Sequence, residues 1–214
     1  VVGGGSAGCV VASRLANPYG SRCDKVTIIE PPINAARRVD RERPAKWLNL
    51  LGSDEDWNLA TSENPQLANR ILGWPRGRGL GGSSRINAMI WFPPILKDLQ
   101  MLVNASGGAW SISELQQDLE DLTQLTRPEK PVWQSESAQR FLHAAKQFAG
   151  SAAQPYLRLN RRGRRWTPAE LLNAAQAEGS IEVQRATVNR LICKGDRVIG
   201  VETWDDHGTN QIMA

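Results

Sequence analysis

The chain has 214 residues, 41% hydrophobic and 22% charged, which allows one large or two small globular domains with a real core. A net charge of +4, concentrated in Arg161, Arg162, Arg164 and Arg165, lacks the broad basic face of a nucleic-acid binder and reads as a solvated turn before a helix. Three scattered cysteines without a CxxC pair argue against a zinc site or disulfide framework and fit a reducing, cytoplasmic setting. No apolar run reaches the ~20 residues of a membrane span, which leaves only peripheral membrane association open.

Val1-Val2 reads as the end of a buried strand, so the chain looks cut into an element already under way. Gly3-Gly4-Gly5-Ser6-Ala7-Gly8 follows at once, and Cys9–Ala16 then carries Val10, Val11 and Leu15 at helical spacing. Asn17-Pro18-Tyr19-Gly20 stops that helix. Lys25–Glu30 is a β-branched run, best read as a buried parallel strand. Strand, glycine turn, helix and strand make a βαβ unit, the context that gives Gly3-x-Gly5-x-x-Gly8 its meaning. Gly3 permits the turn, Gly5 admits a pyrophosphate, and Gly8 lets the helix pack close, with its positive N-terminus toward the phosphates. Glu30 stands 22 residues beyond Gly8, placed to accept bonds from an adenosine ribose. The motif predicts a dinucleotide but does not separate FAD from NAD.

Residues 31–75 are polar and proline-rich, an irregular excursion with one short helix near 44–51 and Trp47 and Trp57 as anchors. Residues 76–87 form a second glycine-rich stretch. Ser111 and Glu114 fit a capping box that opens a helix striped by Leu115, Leu119 and Leu122. Another helix covers 135–149, with Ala138, Phe141, Leu142, Ala145 and Phe148 on one side. Thr167-Pro168-Ala169-Glu170 opens a third, which Gly179 ends. In the tail, Ile181 and Val183 alternate with polar residues, and 188–193 and 197–204 flank a Lys194-Gly195-Asp196 turn, the pattern of an antiparallel ribbon.

Residues 73–94 read Gly-Trp-Pro-Arg-Gly-Arg-Gly-Leu-Gly-Gly-Ser-Ser-Arg-Ile-Asn-Ala-Met-Ile-Trp-Phe-Pro-Pro. On these residues the sequence resembles the glucose–methanol–choline (GMC) oxidoreductases, nearest to their choline or alcohol dehydrogenase branch. Gly77, Arg78, Leu80, Gly81-Gly82, Ser83-Ser84, Ile86, Asn87, Trp91, Pro94 and Gln100 satisfy that family's first signature. Asp54-Glu55-Asp56-Trp57-Asn58, Gly108–Ser111, Asn160–Trp166, Ala186-x-Val188-x-Arg190 and Val198–Glu202 match further segments in order. The resemblance implies an α/β fold: an incomplete FAD/NAD(P)-binding Rossmann-like three-layer domain with an antiparallel ribbon and a partial helical cap. It divides the chain into an FAD-binding unit and flavin loop at 1–90, a cap segment at 91–160, and a return to the FAD domain at 161–214. It implies FAD, with Gly3, Gly5, Ser6, Ala7 and Gly8 at the pyrophosphate and Glu30 at the ribose. Gly82, Ser83, Asn87, Ala88 and Met89 then lie along the flavin and ribityl chain, and Val188 meets adenine through its backbone. Arg76 and Arg78 either brace the loop by ion pairs or contact phosphate.

In the family an alcohol loses its hydroxyl proton to a late histidine while hydride passes to flavin N5. His143 and His207 match no family position, and no catalytic residue or metal set is expected in this chain. Pro31-Pro32, Ala88 and Phe92-Pro93-Pro94 depart from the family pattern, and its second signature and closing strand are not found. The leading expectation is the FAD-binding portion of an alcohol or choline-type dehydrogenase, whose intact form takes a small alcohol. A non-catalytic relic, or a module completed by a partner that supplies the C-terminal half, is the alternative. An NAD enzyme is disfavoured because nothing in it calls for residues 77–100.

Overall fold

The computed structural model describes residues 1–16, 23–33, 38–131, 133–149, 157–205 and 208–214. In chain order, α1 (Ser6–Leu15) leads to β1 (Val26–Glu30), then α2 (Arg38–Glu42) and a 3-10 helix at Pro44–Leu50. The short strands β2 (Leu59–Ala60) and β3 (Gly73–Trp74) follow, then a 3-10 turn at Gly82–Arg85 and β4 (Ile90–Trp91). Helices α3 (Leu96–Ala105), α4 (Ile112–Thr126) and α5 (Glu136–Ala149) precede β5 (Leu157–Arg158), β6 (Asn160–Arg161) and β7 (Arg164–Arg165). A 3-10 helix at Pro168–Leu172 and α6 (Asn173–Ala177) lead to β8 (Ile181–Arg185), β9 (Thr187–Lys194), β10 (Arg197–Asp205) and β11 (Gly208–Met213).

Two compact units result: residues 1–88 with 165–214, and residues 89–164. The first has three layers. β1 pairs in parallel with β8, Val26 opposite Ile181 through Glu30 opposite Arg185, and Val2 bridges Ile29 on the other edge of β1. One face of β1 packs Ile28 and Val26 against Cys9, Ala12, Ala16 and Leu172. The opposite face packs Ile29 with Ala186 and Val201. A strand covered on both faces must be apolar on both, which is why the β-branched run at 26–29 lacks polar alternation. Burial of Ile28 alone stabilises the unit by about 2 kcal/mol.

The third layer is an antiparallel sheet in the order β11-β10-β9. Its β9–β10 turn falls at Gly195-Asp196, with Gly195 at φ +64°, as the hairpin reading required. Two expectations are corrected here. Ile181 and Val183 belong to the parallel sheet and not to the ribbon, and β11, which the polar run Gly208–Gln211 did not announce, adds a third strand.

Within residues 89–164, β4 pairs with β5 and α3 packs on α4. The Ser111 hydroxyl accepts from Glu114 N–H, and the Glu114 carboxylate accepts from Ser111 N–H at 2.8 Å, so the box caps α4 as its spacing predicts. The α5 stripe behaves differently from its expected packing: no residue of α5 is buried, and Phe141 and Phe148 are 72% and 91% exposed. The Thr167–Glu170 box is also present, but it opens a 3-10 turn that becomes helical only at α6. The Asn17–Gly20 helix stop lies outside the described residues.

Candidate functional site

The first glycine turn keeps its shape by local means. Gly3 sits at φ +83°, a backbone state that favours glycine. A Cβ on Gly8 would fall 2.0 Å from the Gly3 carbonyl oxygen, so no side chain fits where α1 crosses the turn. In front of Gly3 and Gly5 there is open space, since a Cβ at either would meet nothing within 4 Å. Gly5 is the N-cap of α1 and brings no capping side chain, the first turn holds no acidic residue, and Ser6 and Ala7 are exposed. An uncapped helix end with an open approach is a ready anion site.

The second glycine loop lies directly against the first. Gly81 N–H donates to Gly4 O at 2.7 Å, the Ser6 hydroxyl donates to Gly81 O at 3.0 Å, and Ser84 Oγ–H donates to the same oxygen at 2.6 Å. A Cβ on Gly82, at φ +52°, would lie 2.8 Å from Gly5 Cα. Backbone meets backbone there, and only glycine allows it. Ser83 is half-buried, its Oγ accepting from Gly77 N–H at 3.2 Å.

Glu30 joins the two loops. It is 6% exposed, and one carboxylate oxygen accepts from Gly4 N–H while the other accepts from Gly79 N–H at 3.0 Å. Asn87 is exposed on the loop surface and Ala88 half-buried, whereas Met89 is buried at φ +59° and opens the second unit. Val188 packs half-buried against the Ile29–Ala186–Val201 cluster, two residues after Ala186, whose N–H donates to Glu30 O at 3.2 Å.

Charged groups beneath the second loop were not foreseen. Glu55 is fully buried; Arg85 Nη2 and Nε both donate to its Oε2, Nε at 3.1 Å, and Arg41 Nε lies 3.2 Å from Oε1 as an ion pair. Arg85 Nη1 also donates to Leu80 O at 3.2 Å. The arginine run expected as a solvated turn divides: Arg162 and Arg164 are exposed, but Arg165 is buried beneath the loop, where burial alone lowers its guanidinium to about 10. Arg76 and Arg78 lie over the rings of Trp74 and Trp57 at 4.7 and 4.4 Å. Trp57 is therefore a half-exposed stacking partner rather than a core anchor. Just ahead, burial pushes the Asp56 carboxyl up, but N–H donors from Gly52, Asn58 and Arg76 together hold it below the ordinary aspartate value.

Burial raises the Cys9 thiol, which donates to Gly4 O at 3.1 Å and so packs as a neutral group behind the first turn. His143 is exposed on α5, and His207 lies outside the described residues. Among the described residues no cluster of His, Cys, Asp or Glu has metal-ligand geometry, and no helix is long and apolar enough to cross a membrane.

The family profile described as GMC oxidoreductase matches residues 1–214. The chain belongs to the GMC oxidoreductases. An uncharacterized GMC-type oxidoreductase of Mycobacterium tuberculosis is 31% identical over 250 residues, an alignment that takes in 100% of this chain and 45% of the relative. An alcohol dehydrogenase [acceptor] of Pseudomonas putida is 37% identical over 118 residues, covering 51% of this chain and 19% of that protein. The crystal structure of pyridoxine 4-oxidase from Mesorbium loti superposes with a TM-score of 0.78 at 26% identity, over 100% of this chain and 47% of that one. This GMC chain thus spans less than half the length of those two full-coverage relatives. Its α/β fold is the family's FAD-binding fold, and FAD is the cofactor that goes with it.

Proposed function

We propose that this chain forms the FAD-holding portion of an oxidoreductase acting on CH–OH groups, of alcohol or choline dehydrogenase type. The single observation that carries this reading is the contact of two nearly side-chain-free loops, Gly81 N–H on Gly4 O and Gly82 against Gly5, beside an uncapped helix end. One long phosphate-bridged ligand suits such a double cradle better than two separate ones. Gly3, Gly5, Ser6, Ala7 and Gly8 would hold the pyrophosphate, Glu30 the ribose and the Val188 backbone the adenine. Gly82, Ser83, Asn87, Ala88 and Met89 would line the flavin end. FAD, when bound, supplies a hydride acceptor at flavin N5. The base that takes the alcohol proton is assigned to no residue of this chain, and a small alcohol remains the substrate of the intact enzyme. Three scattered cysteines, two of them exposed, suit a reducing cytoplasm.

A second reading, a module completed by a partner or a further segment supplying the C-terminal half, is favoured by the uncovered phenylalanines of α5. Both readings predict that the purified chain takes up FAD near one equivalent, read by flavin absorbance and fluorescence quenching. Anaerobic addition of alcohol is expected to leave that absorbance unbleached. Bleaching by this chain alone would show a base within it, and failure to bind FAD at all would defeat the proposal.

A further inference from the structure

Arg165 is unlike the other buried arginine of the second loop. Arg85 faces a carboxylate, Glu55, whereas every acceptor of Arg165 among the described residues is uncharged. Nε donates to Arg41 O at 3.0 Å. Nη1 donates to Ser84 O at 2.9 Å, Asn87 O at 2.7 Å and Asn87 Oδ1 at 2.9 Å. The residue is only 7% exposed, and Nη2 is buried with no acceptor among the described residues. Burying a cation without a counter-charge is costly, so a well-packed apolar side chain would serve stability better at this position. The cost is offset locally by charge-assisted bonds that pin three segments far apart in sequence.

Peptide geometry gives this clasp a direction. In a trans peptide the carbonyl and the following N–H point opposite ways. With the Asn87 carbonyl drawn inward to Arg165, the Ala88 N–H is turned outward, away from the guanidinium. The Asn87 side chain, held by the same Nη1, is fixed with it.

We propose that Arg165 is a positioning residue, which orients the Asn87–Ala88 peptide so that the second loop presents a backbone donor to the flavin end of the cofactor. The inference rests on the FAD-holding reading above, and it adds a residue from the run at 161–165 that the dinucleotide motifs do not touch. Its effect is confined to one end of the cradle. The first glycine turn, the adenosine side, has no bond to Arg165.

The test is a pair of titrations on the full chain and on the R165Q, R165K and N87A variants, one with FAD followed by flavin fluorescence and one with ADP followed by calorimetry. Arg165→Gln is expected to weaken FAD tenfold or more and to leave ADP within twofold of the parent. Arg165→Lys, which keeps the charge but cannot reach both Arg41 O and the loop, should recover only part of the loss. Asn87→Ala, which removes one acceptor and leaves Arg165 in place, should weaken FAD less than R165Q and ADP not at all. Equal FAD affinity in R165Q and parent would overturn the proposal. Equal losses for FAD and ADP in R165Q, with N87A unaffected, would overturn it too, by making Arg165 a general support of the fold. If the parent chain binds ADP but not FAD, the fault lies with the FAD-holding reading itself.

Discussion

The turn at residues 3–8 owes its shape to its own glycines, with Glu30 accepting from Gly4 N–H, whereas the loop at 77–88 is braced by several charged side chains. In the first, glycine at 3 and 8 is dictated by φ and by a carbonyl that leaves no room. In the second, Glu30 and Arg165 reach in from separate elements to hold backbone groups, and the loop's own Arg85, paired with Glu55, holds Leu80 O. A turn shaped by its own glycines fails first where one of them is changed. A braced loop fails wherever a brace is removed, including at positions remote from it in sequence. Two halves of one cradle therefore carry different vulnerabilities.

The largest expected effect is at the deepest brace. Glu55→Gln leaves the buried Arg85 without its counter-charge and is expected to cost about 3–5 kcal/mol, read from the urea midpoint at constant m-value. A cost below about 1 kcal/mol would mean that the second loop does not depend on its bracing, and the contrast between the halves would break. Next is Gly8→Ala, whose methyl would collide with Gly3 O; about 3 kcal/mol is expected, together with loss of FAD uptake. An unchanged midpoint in that variant would show the first turn to be adaptable rather than fixed by its own atoms. The smallest effect is a pH dependence. Asp56 has a folded value below its unfolded one, so its contribution is complete above the ordinary aspartate value of about 3.9 and is lost as pH falls through the lower folded value. Acid unfolding followed by circular dichroism should show this dependence in the parent and lack it in Asp56→Asn. If both chains lose stability alike over that range, Asp56 is not the group that ties Gly52 and Arg76 together.

The same division explains what could be read beforehand. The Gly3–Gly8 turn, the Val26–Glu30 strand, the Ser111–Glu114 box and the Gly195 hairpin each obey a rule spanning a few residues, and each stands where that rule put it. Arg165 obeys no such rule. Its burial depends on carbonyls 78 and 81 positions away, so inside a run of arginines it looked like solvated charge. Ile181–Arg185 alternates like a ribbon strand, yet its neighbour is decided by β1, about 150 residues earlier, and the pairing is parallel. Trp57 carried the wrong role because a large aromatic suggests a core, and only the fold reveals that Arg78 lies over its ring. The apolar stripe of α5 was visible in sequence, but its exposure was not.

Glu30 has a consequence for ligand choice. Both its oxygens already receive a donor from a glycine loop, so a sugar hydroxyl arriving there swaps one bond for another or shares an oxygen already in use. Swapping yields little net affinity. On the ribose role proposed for Glu30, a hydroxyl that displaces a glycine donor gains only what that donor gave, and tightness comes from elsewhere along the cofactor.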